Sequence, residues 1–276
     1  MIHHTVIGTG PPVVLLHGGT GSSESYWAQQ VPVLSEHFRL ILMDHRGFGA
    51  SDYEGAFSIP ACAADLEALL DGLGVEAASL VGLSLGGAIA LQFAVDRPTR
   101  VRRLVLADTF SGVFTERFRR FIDHALIGSL EQGGHDLMFE LNLQFAFSER
   151  YLAEHGDELE VQKRAWREMD IPRYVESLRA IRDWSIDDRL GEVTAPSLVL
   201  WGSEDIEVPR IYSDRLANAL PHAVLSVIDG AGHKSCADRP EAFNRAVLSF
   251  LLDGPPTSGP ARTHDAVTAP PVGGGR

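Results

Sequence analysis

Three short stretches of this chain combine residue types and spacings suited to acyl transfer. Gly82-Leu83-Ser84-Leu85-Gly86 follows the apolar run Ser79 to Val81 and opens a helical pattern that reaches Asp96. A serine hydroxyl attacks a carbonyl only if it stands clear of the backbone within reach of a base, so the turn carrying it must be sharp. Glycines at either side let strand and helix approach without side-chain collision, and Gly87 extends that small surface. In a chain with 27 glycines the five-residue pattern alone carries little. Strand before and helix after give it the setting of a nucleophile elbow, with Ser84 as the expected nucleophile.

The base and its orienting acid must come from later loops at the same sheet edge. Trp201-Gly202-Ser203-Glu204-Asp205 and Ile228-Asp229-Gly230-Ala231-Gly232-His233 both start at the ends of strand-like runs. His233 is the expected general base, taking the Ser84 proton and returning it to the leaving group. Asp205 is expected to hold the imidazole tautomer and stabilise its cation; Glu204, Asp229 and Asp108 are other carboxylates near strand ends that compete for this role. The third stretch, His17-Gly18-Gly19-Thr20-Gly21, follows the run Val13 to Leu16. Acyl transfer builds negative charge on the former carbonyl oxygen, and a preorganised amide aimed at it contributes about 3 to 4 kcal/mol in well-studied cases. The Gly19 and Leu85 amides are the expected oxyanion hole, and His17 is read as holding the loop.

These groups need a scaffold that brings distant loops to one edge. Strand-length apolar runs at Val13 to Leu16, Leu40 to Met43, Ser79 to Val81, Leu104 to Leu106, Ser197 to Trp201 and Val224 to Ile228 alternate with amphipathic segments. Those segments, Ser23 to His37, Pro60 to Leu73, Leu85 to Asp96, Pro209 to Leu220 and Pro240 to Leu252, carry helical periodicity. Strands apolar on both faces, alternating with helices, predict a doubly wound, mostly parallel α/β sheet.

The rhythm breaks between about Ser111 and Trp184, where no strand candidate occurs and Phe114, Phe118, Phe121, Ile122 and Leu126 follow a helical repeat. An all-helical insertion there projects from the carboxyl edge of the sheet, where ligands bind in open α/β folds, and is a candidate lid. The expected organisation is a core over 1–110 and 186–253, a helical cap over 111–185, and a disordered, Pro/Gly-rich tail over 254–276. Phe114, Phe118, Met138 and Phe139 are candidate substrate contacts in the cap. Arg117, Arg119 and Arg120 are candidates for a substrate carboxylate or, more simply, a solvated helix face.

Composition narrows the class. A formal net charge of −13 without any concentrated basic patch argues against nucleic acid. No signal-peptide pattern and no stretch of 18 apolar residues is present, so a cytoplasmic protein without membrane partners is expected. Cys62 and Cys236 lack metal-ligand or redox spacing and read as free thiols; no metal or organic cofactor is expected.

With these residues placed, the chain resembles the α/β-hydrolase superfamily over Val13 to Leu252. Besides the order Ser, Asp, His, it carries Asp44-His45-Arg46-Gly47-Phe48-Gly49-Ala50-Ser51, similar to the superfamily's DxRGxGxS loop. Trp201 through Pro209 has the WGxxDxxxP form, and Gly230-Ala231-Gly232-His233 is followed by Arg239-Pro240. The resemblance is strongest to the lid-bearing serine esterases, enol-lactonases and cofactor-free perhydrolases. It implies an all-helical cap after the sixth strand and hydrolysis of a small, partly apolar ester or lactone through an acyl-enzyme on Ser84. A serine nucleophile sets the chain apart from the dehalogenases and epoxide hydrolases of this fold, which use Asp. Carbon–carbon hydrolases remain the enzymatic alternative, a non-hydrolytic receptor is the alternative of another class, and a homodimer is left open.

Overall fold

A computed structural model describes residues 1–52 and 55–253; the expected tail, 254–276, lies outside the described residues. The Val- and Leu-rich runs form the strands of a seven-stranded sheet: β1 (His4–Ile7), β2 (Pro12–Leu16), β3 (Arg39–Met43), β4 (Ala78–Leu83), β5 (Val101–Ala107), β6 (Ser197–Gly202) and β7 (Ala223–Ile228). Their order is β1-β3-β2-β4-β5-β6-β7. β1 pairs antiparallel with β3, and every other pairing is parallel. The chain crosses over beside β2, so the loops after β2 and β4 open onto the switch point where ligands bind in such sheets.

Side chains alternate across the strands and feed two apolar layers. Val14, Leu16, Leu80 and Leu104 pack with the helices Ile59–Gly72 and Leu85–Asp96 on one face. Val13, Leu15, Val81 and Val105 pack with Trp27, Leu34 and the Phe243, Val247 and Phe250 ridge of the helix Pro240–Asp253 on the other. The helix Leu85–Asp96 is buried along nearly its whole length, which explains why its sequence is apolar all round.

The structure refines three expectations. The strand His4–Ile7 adds a short, half-exposed edge without a clear apolar alternation. Because only this strand precedes Pro12–Leu16, the helical insertion follows the fifth strand, not the sixth. The segment Ser23 to His37 is two single turns, Ser23–Tyr26 and Val31–Leu34, rather than one helix; Pro32 sits in the first turn of the second. Between β5 and β6 a succession of helices runs from Glu116 to Asp183, joined by short turns, and contains a π-helical stretch, Phe121–Ile127, inside the expected Phe114 to Leu130 repeat. No helix among the described residues is long and apolar enough to cross a membrane.

Candidate active site

Ser84 stands between β4 and the helix Leu85–Asp96 with φ 53° and ψ −118°, a positive φ that a non-glycine residue adopts at a cost of about 1 to 3 kcal/mol. Two hydrogen bonds hold it there: its N–H donates to Ala107 O at 3.0 Å, and its carbonyl accepts from Thr109 Oγ1 at 2.6 Å. The flanking glycines are required by contact. A Cβ on Gly82 would lie 2.4 Å from Gly86 O, and one on Gly86 would lie 2.1 Å from Leu16 O.

His233 follows β7 and is 4% exposed. Its Nδ1 lies 2.9 Å from Asp205 Oδ2; a carboxylate only accepts, so Nδ1 carries the proton and neutral His233 leaves Nε2 free as a base. Asp205 is fixed in turn through Oδ1, which accepts the Glu207 and Val208 N–H groups at 2.9 Å each. Of the competing carboxylates, Asp108 turns to the scaffold, accepting Gly202 N–H at 2.8 Å and the Ser235 hydroxyl at 2.5 Å. Asp229 accepts from the Ser203 hydroxyl at 3.4 Å, and Glu204 joins the network through its N–H, donated to Ala231 O at 2.8 Å.

Ser84, His233, Gly19 and Leu85 line one small cavity of about 40 Å³, together with Tyr174, Leu178 and Glu207. Leu85 is the first residue of its helix, so its N–H has no acceptor within the helix and is available to a ligand. The Gly19 loop is held from behind by His17. His17 Nδ1 donates to Gly18 O at 2.6 Å while its Nε2 accepts from His45 N–H at 3.2 Å, and its ring stacks on His45 at 4.0 Å. Burial lowers the His17 pKa to about 4, against the raising effect of Asp44, so it stays neutral in that scaffold. Asp44 ties the same region together, accepting Ser23 N–H at 2.7 Å and Ala50 N–H at 2.9 Å.

Sequence reasoning did not single out Glu207 or Lys234. Glu207 Oε1 lies 3.9 Å from His233 Nε2. Burial alone would lower the His233 pKa, but the Glu207 and Asp205 carboxylates outweigh it and hold the imidazole well above its usual 6.5. Burial also raises the Glu207 pKa, the His233 charge opposing it. Burial brings Asp108 up to about 8, with Asp205 adding to the effect. The signals for the two missed residues were adjacency alone: Glu207 is two places after Asp205, and Lys234 follows His233.

A second cavity of about 590 Å³ shares Thr20, Tyr26, Asn142 and Lys234 with the small one. Its outer wall comes from the helical insertion through Phe139, Phe147 and Trp166. Of the four cap residues expected at the substrate, Phe139 lines the larger cavity, whereas Phe114, Phe118 and Met138 line neither cavity. Phe114 and Phe118 instead pack on Tyr212, with ring centroids 4.4 and 5.1 Å apart, and so fasten the insertion to the core. Arg117, Arg119 and Arg120 line neither cavity either; Arg120 reaches Glu116 at 4.0 Å on the outer helix face. The insertion is also tied to the histidine loop: Asp238 accepts both Gly232 N–H and Ser148 N–H at 2.7 Å.

Comparison with known proteins gives a consistent picture. Residues 11–240 match the family model described as the alpha/beta hydrolase fold. A protein of Agrobacterium fabrum provisionally named carbamate hydrolase RutD is 34% identical, over 87% of this chain and 93% of the relative. A 2-hydroxy-6-oxononadienedioate/2-hydroxy-6-oxononatrienedioate hydrolase of Comamonas testosteroni is 31% identical, over 92% of each chain. The crystal structure of the enol-lactonase from Burkholderia xenovorans superposes with a TM-score of 0.83 at 25% identity, covering 91% of this chain and 96% of that one.

Proposed function

The chain belongs to the α/β-hydrolase family, and from that premise we propose that it is a serine hydrolase cleaving a carboxylic ester or lactone of a small, partly apolar substrate. One observation carries the reading: Ser84 and His233 line the same small cavity as Gly19 and Leu85, with His233 Nδ1 bound to Asp205. Ser84 Oγ attacks the carbonyl carbon as His233 Nε2 takes its proton. The Gly19 and Leu85 amides donate to the oxyanion that forms, and its collapse breaks the acyl–oxygen bond. His233 passes the proton to the departing alkoxide, leaving an acyl ester on Ser84. Water then adds to that ester while giving a proton to His233; the acid departs and the serine hydroxyl is restored. The net reaction consumes one water per ester and yields one acid and one alcohol, which stay joined when the substrate is a lactone.

The insertion over 111–185 serves as the lid of this site, with the apolar wall Phe139, Phe147 and Trp166 receiving the apolar part of the substrate. The chemistry needs no metal or organic cofactor, because every proton and electron pair above is handled by Ser84, His233 and water. A second reading, hydrolysis of a carbon–carbon bond, is favoured by the name of the Comamonas relative. The Agrobacterium relative's name adds carbamates, whose carbonyl would meet the same nucleophile.

The test is intact-protein mass after fluorophosphonate treatment, alongside nitrophenol release from short and long acyl esters. Labelling with turnover in the wild type, and loss of both in Ser84→Ala with kcat/KM down by about 10⁴ or more, is the expected result. Full activity in the folded Ser84→Ala protein overturns the mechanism. Ligand binding without product release moves the assignment to a receptor.

A further inference from the structure

Lys234 lines both the small cavity at Ser84 and the large one beneath the insertion, so it stands at their junction. It is the one lysine or arginine among the residues lining either cavity. Its stem is fixed by its own backbone, whose N–H donates to Ala146 O at 2.8 Å. Its ammonium lies 5.4 Å from the Tyr26 ring centroid and 5.3 Å from that of Phe147. Among the described residues no carboxylate lies within ion-pair distance of it and no acceptor takes its hydrogen bonds.

Ring faces attract a cation but accept no conventional hydrogen bond. The half-buried ammonium therefore has no protein acceptor, and its N–H donors are available to a ligand. Burial lowers its pKa accordingly. The nearby carboxylates are otherwise engaged: Glu207 faces His233 at 3.9 Å, and Asp170 pairs with Arg173 at 3.1 Å. Glu168 is on the exposed outer rim. A lysine without an acceptor of its own, placed where the two cavities meet, is a donor positioned for an anionic group.

We propose that Lys234 anchors a carboxylate carried by the substrate itself, on the same molecule as the scissile ester or lactone. The proposal rests on the serine-hydrolase reading of the site. It makes Lys234 a specificity residue: the carboxylate accepts a charge-assisted hydrogen bond from the ammonium at the junction, while the carbonyl enters the small cavity. A lysine that merely pinned Tyr26 to Phe147 would affect charged and neutral substrates alike.

The full-length wild type, Lys234→Gln and Lys234→Arg are compared on 4-nitrophenyl hydrogen glutarate and on its neutral methyl ester, and glutarate binding is followed by calorimetry. The expected result is a fall of at least about tenfold in the charged-to-neutral ratio of kcat/KM for Lys234→Gln, chiefly through KM, with most of the ratio retained in Lys234→Arg. Glutarate affinity falls in parallel. An unchanged ratio, with both substrates weakened equally or not at all, overturns the anchor and leaves the hydrolase reading standing. Glutarate binding that depends on Lys234 in a protein that hydrolyses neither ester supports the anchor and overturns the hydrolase reading.

Discussion

Replacing Glu207 by Gln should move the acidic limb of the pH–rate profile to lower pH. His233 acts as a base only when neutral, and the acidic limb of kcat/KM reports its pKa in the free enzyme. In the wild type the Glu207 carboxylate, 3.9 Å from His233 Nε2, favours the imidazolium. Two unit charges at that distance attract by about 1 kcal/mol in water and about 4 kcal/mol at an effective dielectric constant near 20. At about 1.36 kcal/mol per pH unit, the limb should fall by between about 0.8 and 3 pH units. Burial favours the upper part of that range, whereas the raised pKa of Glu207 weakens its effect toward acid pH. Asp205 also faces His233 and remains in the variant, so the limb should still lie above that of an isolated imidazole. The assay is nitrophenyl ester hydrolysis under kcat/KM conditions across pH 5 to about 10.5, with folding checked at each end. A limb that stays in place, or moves upward, refutes the electrostatic coupling between Glu207 and His233.

Other substitutions probe the remaining roles. Asp205→Asn should lower kcat by about 10³ to 10⁴ with circular dichroism unchanged, because the amide no longer enforces the Nδ1–H tautomer; a loss below tenfold would mean another acid orients His233. Asp108→Asn should act on stability instead. Folded Asp108 holds its proton up to about 8, whereas the unfolded group releases it near 3.8, so its contribution to wild-type stability is lost as pH rises through that window. Urea titrations at several pH values should therefore show a flatter profile for the variant, and an identical slope would contradict the buried titration. Phe118→Ala should cost about 3 to 5 kcal/mol by opening a hole between Phe110 and Tyr212. Thermal unfolding indistinguishable from wild type would show that this junction does not fasten the insertion.

The residues expected at Ser84, Asp205 and His233 were legible because each lies where a strand ends in a glycine-rich loop, and local sequence dictates such turns. The glycines around Ser84 are dictated by backbone approaches near 2 Å to any added Cβ, a constraint that leaves its mark in composition. Glu207 and Lys234 left no such mark, since their positions depend on how two loops fold back over His233. The strand His4–Ile7 was equally silent: four residues, mostly half-exposed, show no period that separates strand from coil. In the insertion, periodicity announced helices without telling which apolar faces meet the core. Phe118 and Met138 were spent on packing, and Phe139, one residue along, turned to the cavity. The choice of Asp205 over Asp108 was open in sequence because both follow strands; the positive φ of Asp108, 47°, turns it to Gly202 and Ser235.

The two cavities of unequal size, about 590 and 40 Å³, meet at Thr20, Tyr26, Asn142 and Lys234. The narrow inner end joins the loops that bear Ser84 and His233 to Ala146, Tyr174, Leu178 and Ile181 of the insertion, and its volume admits only a small group. The wide outer end draws about half of its lining from the insertion, which contains none of Ser84, Asp205 and His233. Mutations there can redraw which molecules are accepted while the reaction itself is untouched, so descendants of such a chain could diversify their diet without relearning their chemistry.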